Sequence, residues 1–335
     1  MFQLLFNAFS EDEPGQKWQD NFEHHWPAYQ KWFLSAGDQA RPSYLESRRM
    51  LRQYMPELVP TYERLVELAG GGDLVARFLA FYNPPPYITG CSQAVWPDPY
   101  EPILVRNYDY SPRLCEASLL KTRWNDKNVI AMGDCLWGVL DGMNDSGLAL
   151  SLSFGGRKAV GDGFGMPVIL RYILEFCDSI DQAVDVLERV PTHMSYNVTL
   201  LDKSNRFKTV FLAPDKAPVV RQLAVATNHQ GRIEWHRHAN ATSSLQREQF
   251  LSSRLMDTEE TAEGFVRSFL YPPLYSYEYE RGFGTVYTAC YRPNRADMEL
   301  RWLGSRWPQS FEHFIEDKRI IRFPSKVQPL EIGKC

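Results

Sequence analysis

Tyr82-Asn-Pro-Pro-Pro-Tyr-Ile-Thr-Gly-Cys-Ser-Gln-Ala-Val-Trp96 divides the chain into two textures. Proline fixes φ and has no N–H to give, so the run through Pro86 excludes helix and central strand and reads as an extended connector. Cys91-Ser-Gln-Ala-Val-Trp96 then reads as a strand and Pro102-Ile-Leu-Val-Arg106 as the next, with a Pro-Asp-Pro turn between them. Upstream, residues 1–80 read as helical. Leu51, Tyr54, Met55 and Leu58 recur at helical spacing, then Leu65, Val66 and Leu68, and the run stops at Gly70-Gly-Gly72. Pro56 and Pro60 mark a break between those two helices.

Downstream the elements alternate in blocks. Val129 to Leu140 and Leu148 to Phe154 read as strands, with Asp141-Gly-Met-Asn-Asp-Ser-Gly147 as the turn between them. Helices are expected over Met166 to Phe176 and Asp181 to Arg189. The second is opened by Ser179 with Gln182 three residues on, a capping-box pattern, and closed by Pro191. Strands follow near 195–202, 207–213 and 220–227, helices near 243–255 and 260–270, and strands near 284–292 and 297–302. Such blocks describe a layered α/β or α+β domain, with residues 1–90 as a helical N-terminal segment and 91–335 as the main domain.

Bulk properties narrow the function. The 335 residues are 44% hydrophobic and 23% charged, an ordinary globular balance. A net charge of −4 without any Lys/Arg block argues against nucleic acid or an anionic membrane as partner. No stretch approaches the roughly 20 apolar residues of a membrane span. Met1-Phe-Gln-Leu-Leu-Phe lacks a basic flank and runs into Glu11-Asp-Glu13, so no signal peptide is read there. Cysteines at 91, 115, 135, 177, 290 and 335 form no CxxC pair, which supports neither a zinc site nor a disulfide framework and makes a reducing cytoplasm the expected setting.

The informative junction is Gly90-Cys91. Most Gly-Cys pairs are inert. A cut between these two residues, however, would leave Cys91 with a thiol and an α-amine whose pKa of about 7.7–8.0 lets it take the thiol proton at neutral pH. Gly90 would suit the cut by tolerating a twisted backbone. Val105-Arg-Asn-Tyr-Asp109 ends the next strand, and a hairpin brings it beside Cys91. Arg106 can then hold the thiolate and Asp109 can orient the α-ammonium, although a structural Arg–Asp pair is the commoner use of such residues. Asn228, in Ala226-Thr-Asn-His229 at another strand end, can donate to the oxyanion of a tetrahedral intermediate. Substituting Arg106 or Asp109 is expected to lower turnover and leave the fold largely intact.

These residues resemble the isopenicillin-N (acyl-CoA:6-aminopenicillanate) acyltransferase family and, more distantly, the choloylglycine hydrolases with penicillin V acylase. The resemblance continues through Asp141-Gly-Met-Asn-Asp-Ser-Gly-Leu148, Thr227-Asn228-His229, Ser244-x-x-Arg247 and Gly284-Thr-Val-Tyr-Thr-Ala289. It implies an αββα four-layer sandwich of the N-terminal-nucleophile kind, preceded by a helical segment. It also implies self-cleavage at Gly90–Cys91 and a catalytic set of Cys91, Arg106, Asp109, Asn228 and Arg247, with Arg237 and Arg254 as alternatives to the last. Where choloylglycine hydrolases carry an Asn, this chain reads Leu152-Ser153-Phe154, and the Ser153 hydroxyl would have to supply that contact. The expected partner is a small-molecule linear amide, opened through an acyl-enzyme thioester, with no cofactor and no metal. Homo-oligomerisation is left open.

Trp96, Trp137, Phe154 and the Tyr271-to-Tyr279 cluster are candidates for an apolar acyl pocket, with core packing as the alternative. Three rival readings stand beside this one. Cys91 could pair with His193 or His229 in a papain-like site; His229, His236 and His238 could bind a metal; or the fold could serve as a binding protein without catalysis.

Overall fold

The computed structural model describes residues 2–323, so Cys335 lies outside the described part. In chain order the elements are β1 (Phe2–Glu11), α1 (Gln16–Phe33), α2 (Tyr44–Tyr54), α3 (Val59–Leu68), α4 (Asp73–Ala80), β2 (Gly90–Trp96), β3 (Ile103–Tyr110), β4 (Ser118–Thr122), β5 (Val129–Asp134), β6 (Gly138–Asn144) and β7 (Leu148–Phe154). They continue as α5 (Met166–Phe176), α6 (Ile180–Arg189), β8 (Tyr196–Asp202), β9 (Phe207–Ala213), β10 (Lys216–Arg221), β11 (Val225–Ala226), α7 (His236–Ala241), α8 (Ser244–Met256) and α9 (Ala262–Ser268). The last strands are β12 (Tyr277–Glu278), β13 (Phe283–Arg292), β14 (Asp297–Trp302), β15 (Ser305–Ser310) and β16 (Asp317–Phe323).

Within the described residues the strands make two sheets. One has nine strands in the order β10-β9-β8-β7-β6-β5-β4-β1-β16; the other has seven, in the order β11-β2-β3-β13-β14-β15 with β12 paired to β13. The sheets face each other, β2 and β3 against β7 and β13 against β6. Helices α5 and α6 cover the outer face of the first sheet, and α8 covers β2 and β11 of the second. Two sheets between two helical layers is the αββα order that the resemblance implies. Strands β6, β7 and β8 are buried along their whole length, as strands covered on both faces must be.

Local signals act as the sequence suggests in most places. The Ser179 side chain accepts from Gln182 N–H and starts α6, while Gln182 Oε1 accepts from Asp178 N–H at 2.6 Å. Gly70, Gly71 and Gly72 all have positive φ, which is how the chain turns from α3 into α4. The break marked by Pro56 and Pro60 is present between Tyr54 and Val59, with Pro60 in the first turn of α3, where no N–H is needed.

The reading of residues 1–80 as helical needs one correction. Phe2–Glu11 is a strand, inserted between β4 (parallel) and β16 (antiparallel). Its alternation is weak because Leu4, Leu5 and Phe6 run together, which hides a period of two. Phe6 and Ala8 point into the space between the sheets, and the Phe6 ring lies 4.9 Å from Trp302 and 6.4 Å from Tyr287. Full burial of such a phenyl ring contributes about 2 kcal/mol. Helix α1 is strapped down by Trp18 Nε1 donating to Leu136 O at 3.0 Å, and α4 by Trp137 Nε1 donating to Leu79 O at 2.9 Å. The N-terminal segment is thus part of the sheet and not a detachable cover.

A chain cut between Gly90 and Cys91 should therefore remain one particle. Both fragments should co-elute in size-exclusion chromatography and separate only in denaturant. Elution of the larger fragment alone in native buffer would contradict the place of β1 in the sheet.

Candidate active site

The antiparallel register of β2 and β3 pairs Gly90 with Asp109, Cys91 with Tyr108 and Gln93 with Arg106. Because side chains alternate across a strand, Cys91, Gln93, Arg106 and Tyr108 point between the sheets, whereas Gly90, Ser92, Asn107 and Asp109 point toward α8 and α9. The bonds agree. Gln93 reaches Asn197 O of the facing sheet at 3.1 Å, and Asn107 Nδ2 reaches Phe269 O and Leu274 O at 2.8 and 3.1 Å. The Cys91 thiol and the Asp109 carboxylate therefore flank the Gly90–Cys91 peptide from opposite sides.

On the inner side, Arg106 Nη2 donates to Cys91 Sγ at 3.2 Å. The guanidinium is fully buried. Its Nε donates to Leu152 O at 2.8 Å, and its Nη1 donates to Asp141 and to Tyr287 Oη at 2.9 Å. Asp141 also accepts from Tyr287 at 2.7 Å and from Tyr291 at 2.5 Å. Burial pushes the Cys91 thiol pKa up, Arg106 pulls it back, and Asp109 pushes it up again. The thiol is sealed from solvent.

On the outer side, Asp109 accepts from Thr285 Oγ1 at 2.6 Å and from Arg247 Nη1 at 3.2 Å. Arg247 comes from α8 and also donates to Ser92 Oγ at 2.8 Å and Asn228 Oδ1 at 2.7 Å. Burial raises the Asp109 pKa, and Arg247, Thr285 and Arg106 oppose that shift. Asn228 Oδ1 accepts from Cys91 N–H at 3.1 Å, while its Nδ2 donates to Phe154 O at 3.1 Å and has a second N–H to give. Ser244 Oγ, at the start of α8, accepts from Asn228 N–H at 2.8 Å and fixes that residue.

The structure thus brings Cys91, Arg106, Asp109, Asn228 and Arg247 together around one peptide bond. Arg237 is exposed on α7 and Arg254 is tied to Glu260, so neither reaches the site. Ser153 sits in a different network. Its hydroxyl donates to Thr227 O at 2.8 Å and accepts from Asn197 Nδ2 at 3.2 Å, so its one proton is already spent. Gly90 has no positive φ. Its need is for room, since a Cβ there would collide with the Phe283 ring.

Sequence reasoning misses Asp141, Thr285 and Tyr287. Asp141 reads as a turn residue, yet β6 continues to Asn144 and holds it inside the sheet. A register shift between Thr285 and Tyr287 sets these two residues on opposite faces, one toward Asp109 and the other toward Arg106. The only available signal is that all three lie in the stretches that carry the resemblance.

The rival pairings are not formed. His193 Nδ1 faces Phe164 O at 3.2 Å, with burial pushing its pKa down to about 4, and His229 lies between Ser244 at 2.8 Å and Glu248 at 3.2 Å. His236 and His238, considered as metal ligands, lie on α7, where His238 is buried against Phe154 and Trp235. Of the aromatics considered for an acyl pocket, Trp137, Phe154, Tyr275 and Tyr279 are core, and Trp96 and Tyr277 are partly buried against it. Trp96 packs on Phe265, and Phe154 packs on Trp235. A cavity of about 1230 Å³ is lined instead by β1, α1, Tyr87, Tyr108, Tyr110 and the residues around Glu116 and Asp134. Tyr108, the cross-strand neighbour of Cys91, forms part of its wall.

Arg106 also bridges the sheets, which argues against the expectation that its removal spares the fold. In a Cys91→Ala background, Arg106→Ala should cost about 3–5 kcal/mol in denaturant unfolding, because it leaves Asp141 buried without its cation. A loss under about 1 kcal/mol would show that Asp141 has another partner.

The family model described as acyl-coenzyme A:6-aminopenicillanic acid acyl-transferase matches residues 96–307. Arg106, Asp109, Asn228 and Arg247 fall inside the match, and Cys91 lies just before it. No curated protein sequence matches the chain significantly. Among solved structures, penicillin V acylase from Agrobacterium tumefaciens is similar at 13% identity, covering 66% of this chain and 86% of its own, with a TM-score of 0.49. A mutant of conjugated bile acid hydrolase from Clostridium perfringens gives 12% identity, 72% and 100% coverage and a TM-score of 0.41. The Caenorhabditis elegans N-acylethanolamine-hydrolyzing acid amidase ortholog gives 17%, 70% and 100%, and 0.44. With the match spanning more than half of its length, the chain belongs to the acyl-coenzyme A:6-aminopenicillanic acid acyl-transferase family.

Proposed function

We propose that the protein is an N-terminal-nucleophile amidohydrolase or acyltransferase that frees Cys91 by self-cleavage after Gly90 and acts on linear, non-peptide amides. One observation carries this reading: a single peptide bond has Arg106 Nη2 at 3.2 Å from its thiol, Asn228 Oδ1 at 3.1 Å from its N–H, and the Asp109–Arg247 pair behind it. A binding scaffold has no use for a sealed thiol held in this way.

In maturation, Cys91 Sγ attacks the Gly90 carbonyl carbon. The C–N bond breaks, the nitrogen takes up a proton, and water then releases Gly90 as a carboxylate from the thioester. The new α-amine inherits the contact with Asn228 Oδ1, and the Asp109 carboxylate holds it when it is charged. In turnover, the α-amine accepts the thiol proton while Arg106 stabilises the thiolate. The thiolate attacks the substrate carbonyl, and the second N–H of Asn228 donates to the oxyanion. The amine leaves with the proton from the α-ammonium, and water or another amine takes the acyl group from sulfur. A reducing, cytoplasmic setting is part of the proposal; the five described cysteines support it as buried free thiols.

Intact mass spectrometry of the purified protein tests maturation. Two fragments are expected, the larger beginning at Cys91, and Cys91→Ala should stay whole. An active wild-type protein that remains a single chain would rule out the α-amine as base.

Asn228→Ala should cut kcat by roughly a hundredfold with little change in KM, since an oxyanion contact is strongest in the transition state. Iodoacetamide should still label Cys91 in that variant. Loss of labelling together with turnover would assign Asn228 to holding the site and not to the oxyanion.

A further inference from the structure

The polar floor of the 1230 Å³ cavity is left unexplained by the cysteine chemistry. Glu116 and Asp134 lie there, each more than nine-tenths buried. The Tyr29 hydroxyl stands between them, bonded to Glu116 and 3.2 Å from Asp134, and its single proton can serve only one. Among the described residues no Lys or Arg pairs with either carboxylate. The lining Lys and Arg residues are at the exposed mouth, where Lys17 is engaged by Glu316 at 2.5 Å; burial lowers the pKa of the half-buried His25 on the same lining, and Glu116 opposes that shift. Two buried polar atoms on this floor have no partner among the described residues: Glu116 Oε2, and Nδ2 of Asn21, whose Oδ1 accepts from Ser118 at 3.0 Å.

A buried carboxylate pair without a cation is costly, and unsatisfied polar atoms add to the cost, so the floor is built for something that is not in the protein. Resting on the reading of Cys91 as nucleophile, we propose that the amide substrate carries a protonated amine, which docks between Glu116 and Asp134. Tyr108 links the two ends, since it lines the cavity and is the cross-strand neighbour of Cys91. The ammonium supplies the missing cation and up to three N–H donors, enough for the free Glu116 oxygen and for Asp134, while Asn21 Nδ2, itself a donor, is left for an oxygen of the same molecule. Burial, and then the charge of Glu116, push the Asp134 pKa up, so without a cation the two acids keep a proton between them, which a docking ammonium would displace.

Calorimetric titration of the purified protein with hexylammonium and with 1-hexanol tests docking apart from chemistry. The amine should bind at least tenfold tighter than the alcohol, and Glu116→Gln and Asp134→Asn should each remove that preference. Equal binding of the two, or amine binding unchanged in both variants, would overturn the proposal. The wild-type comparison stands even if a variant fails to fold. In turnover, amides ending in an ammonium, on the acyl or the amine side, should exceed methyl-ended isosteres in kcat/KM by tenfold or more. Turnover of neutral amides without that preference would overturn the docking pair and leave Cys91 as nucleophile. Amine binding without turnover of any amide would uphold the pair and sink the Cys91 reading.

Discussion

A guanidinium with no exposed surface has to be neutralised where it lies, and Arg106 meets that demand by reaching out of its own sheet. From β3 it spans the interface to Asp141 on β6 and to the Leu152 carbonyl on β7, with Tyr287 and Tyr291 closing the carboxylate's remaining sites. The same side chain turns its Nη2 to the Cys91 sulfur. The bridge between the sheets and the charge beside the thiol are therefore one object, and the thiol cannot be tuned without touching what holds the sandwich together. Buried pairs of this kind are weak sources of net stability but expensive to break from one side.

The second ion pair is separated from the first by the thickness of a sheet. Asp109 and Arg247 lie behind β2 and β3, with Thr285 and Asn228 attached to them. The irregularity between Thr285 and Tyr287 in β13 lets one strand serve both faces. The outcome is a peptide bond with a positively held thiol in front and a carboxylate behind, which is the polarity that an α-ammonium next to a thiolate would need. The N-terminal segment is bound to this arrangement through β1, and the cavity beside Tyr108 has β1 and α1 as a wall.

Much of this is legible in the residues. Strands Cys91–Trp96 and Leu148–Phe154, helix Met166–Phe176 and the cap at Ser179 follow from alternation, apolar period and capping, which are local properties. Strand β1 is not legible, because consecutive apolar residues carry no period and its partners are far away in sequence. Val129 to Leu140 reads as one strand but is two, β5 and β6, separated at Cys135 and Leu136, both with positive φ, which no side-chain pattern announces. At the site, charged residues at strand ends point to Arg106 and Asp109. Asp141 looks like a turn because Asp-Gly is a turn dipeptide, and only the facing sheet explains it. The cavity is beyond reach for the same reason: its walls come from β1, α1, β3 and β5, and no local pattern brings them together.

The most direct test of the central claim is the mass of the trapped acyl-enzyme. Rapid acid quench during turnover of an N-acyl amide, followed by peptide mapping, should find the acyl mass on the peptide that begins with Cys91 and release it with hydroxylamine, as a thioester requires. Turnover with the acyl group on another residue, or with Cys91 unmodified at every quench time and unnecessary for activity, would contradict the account.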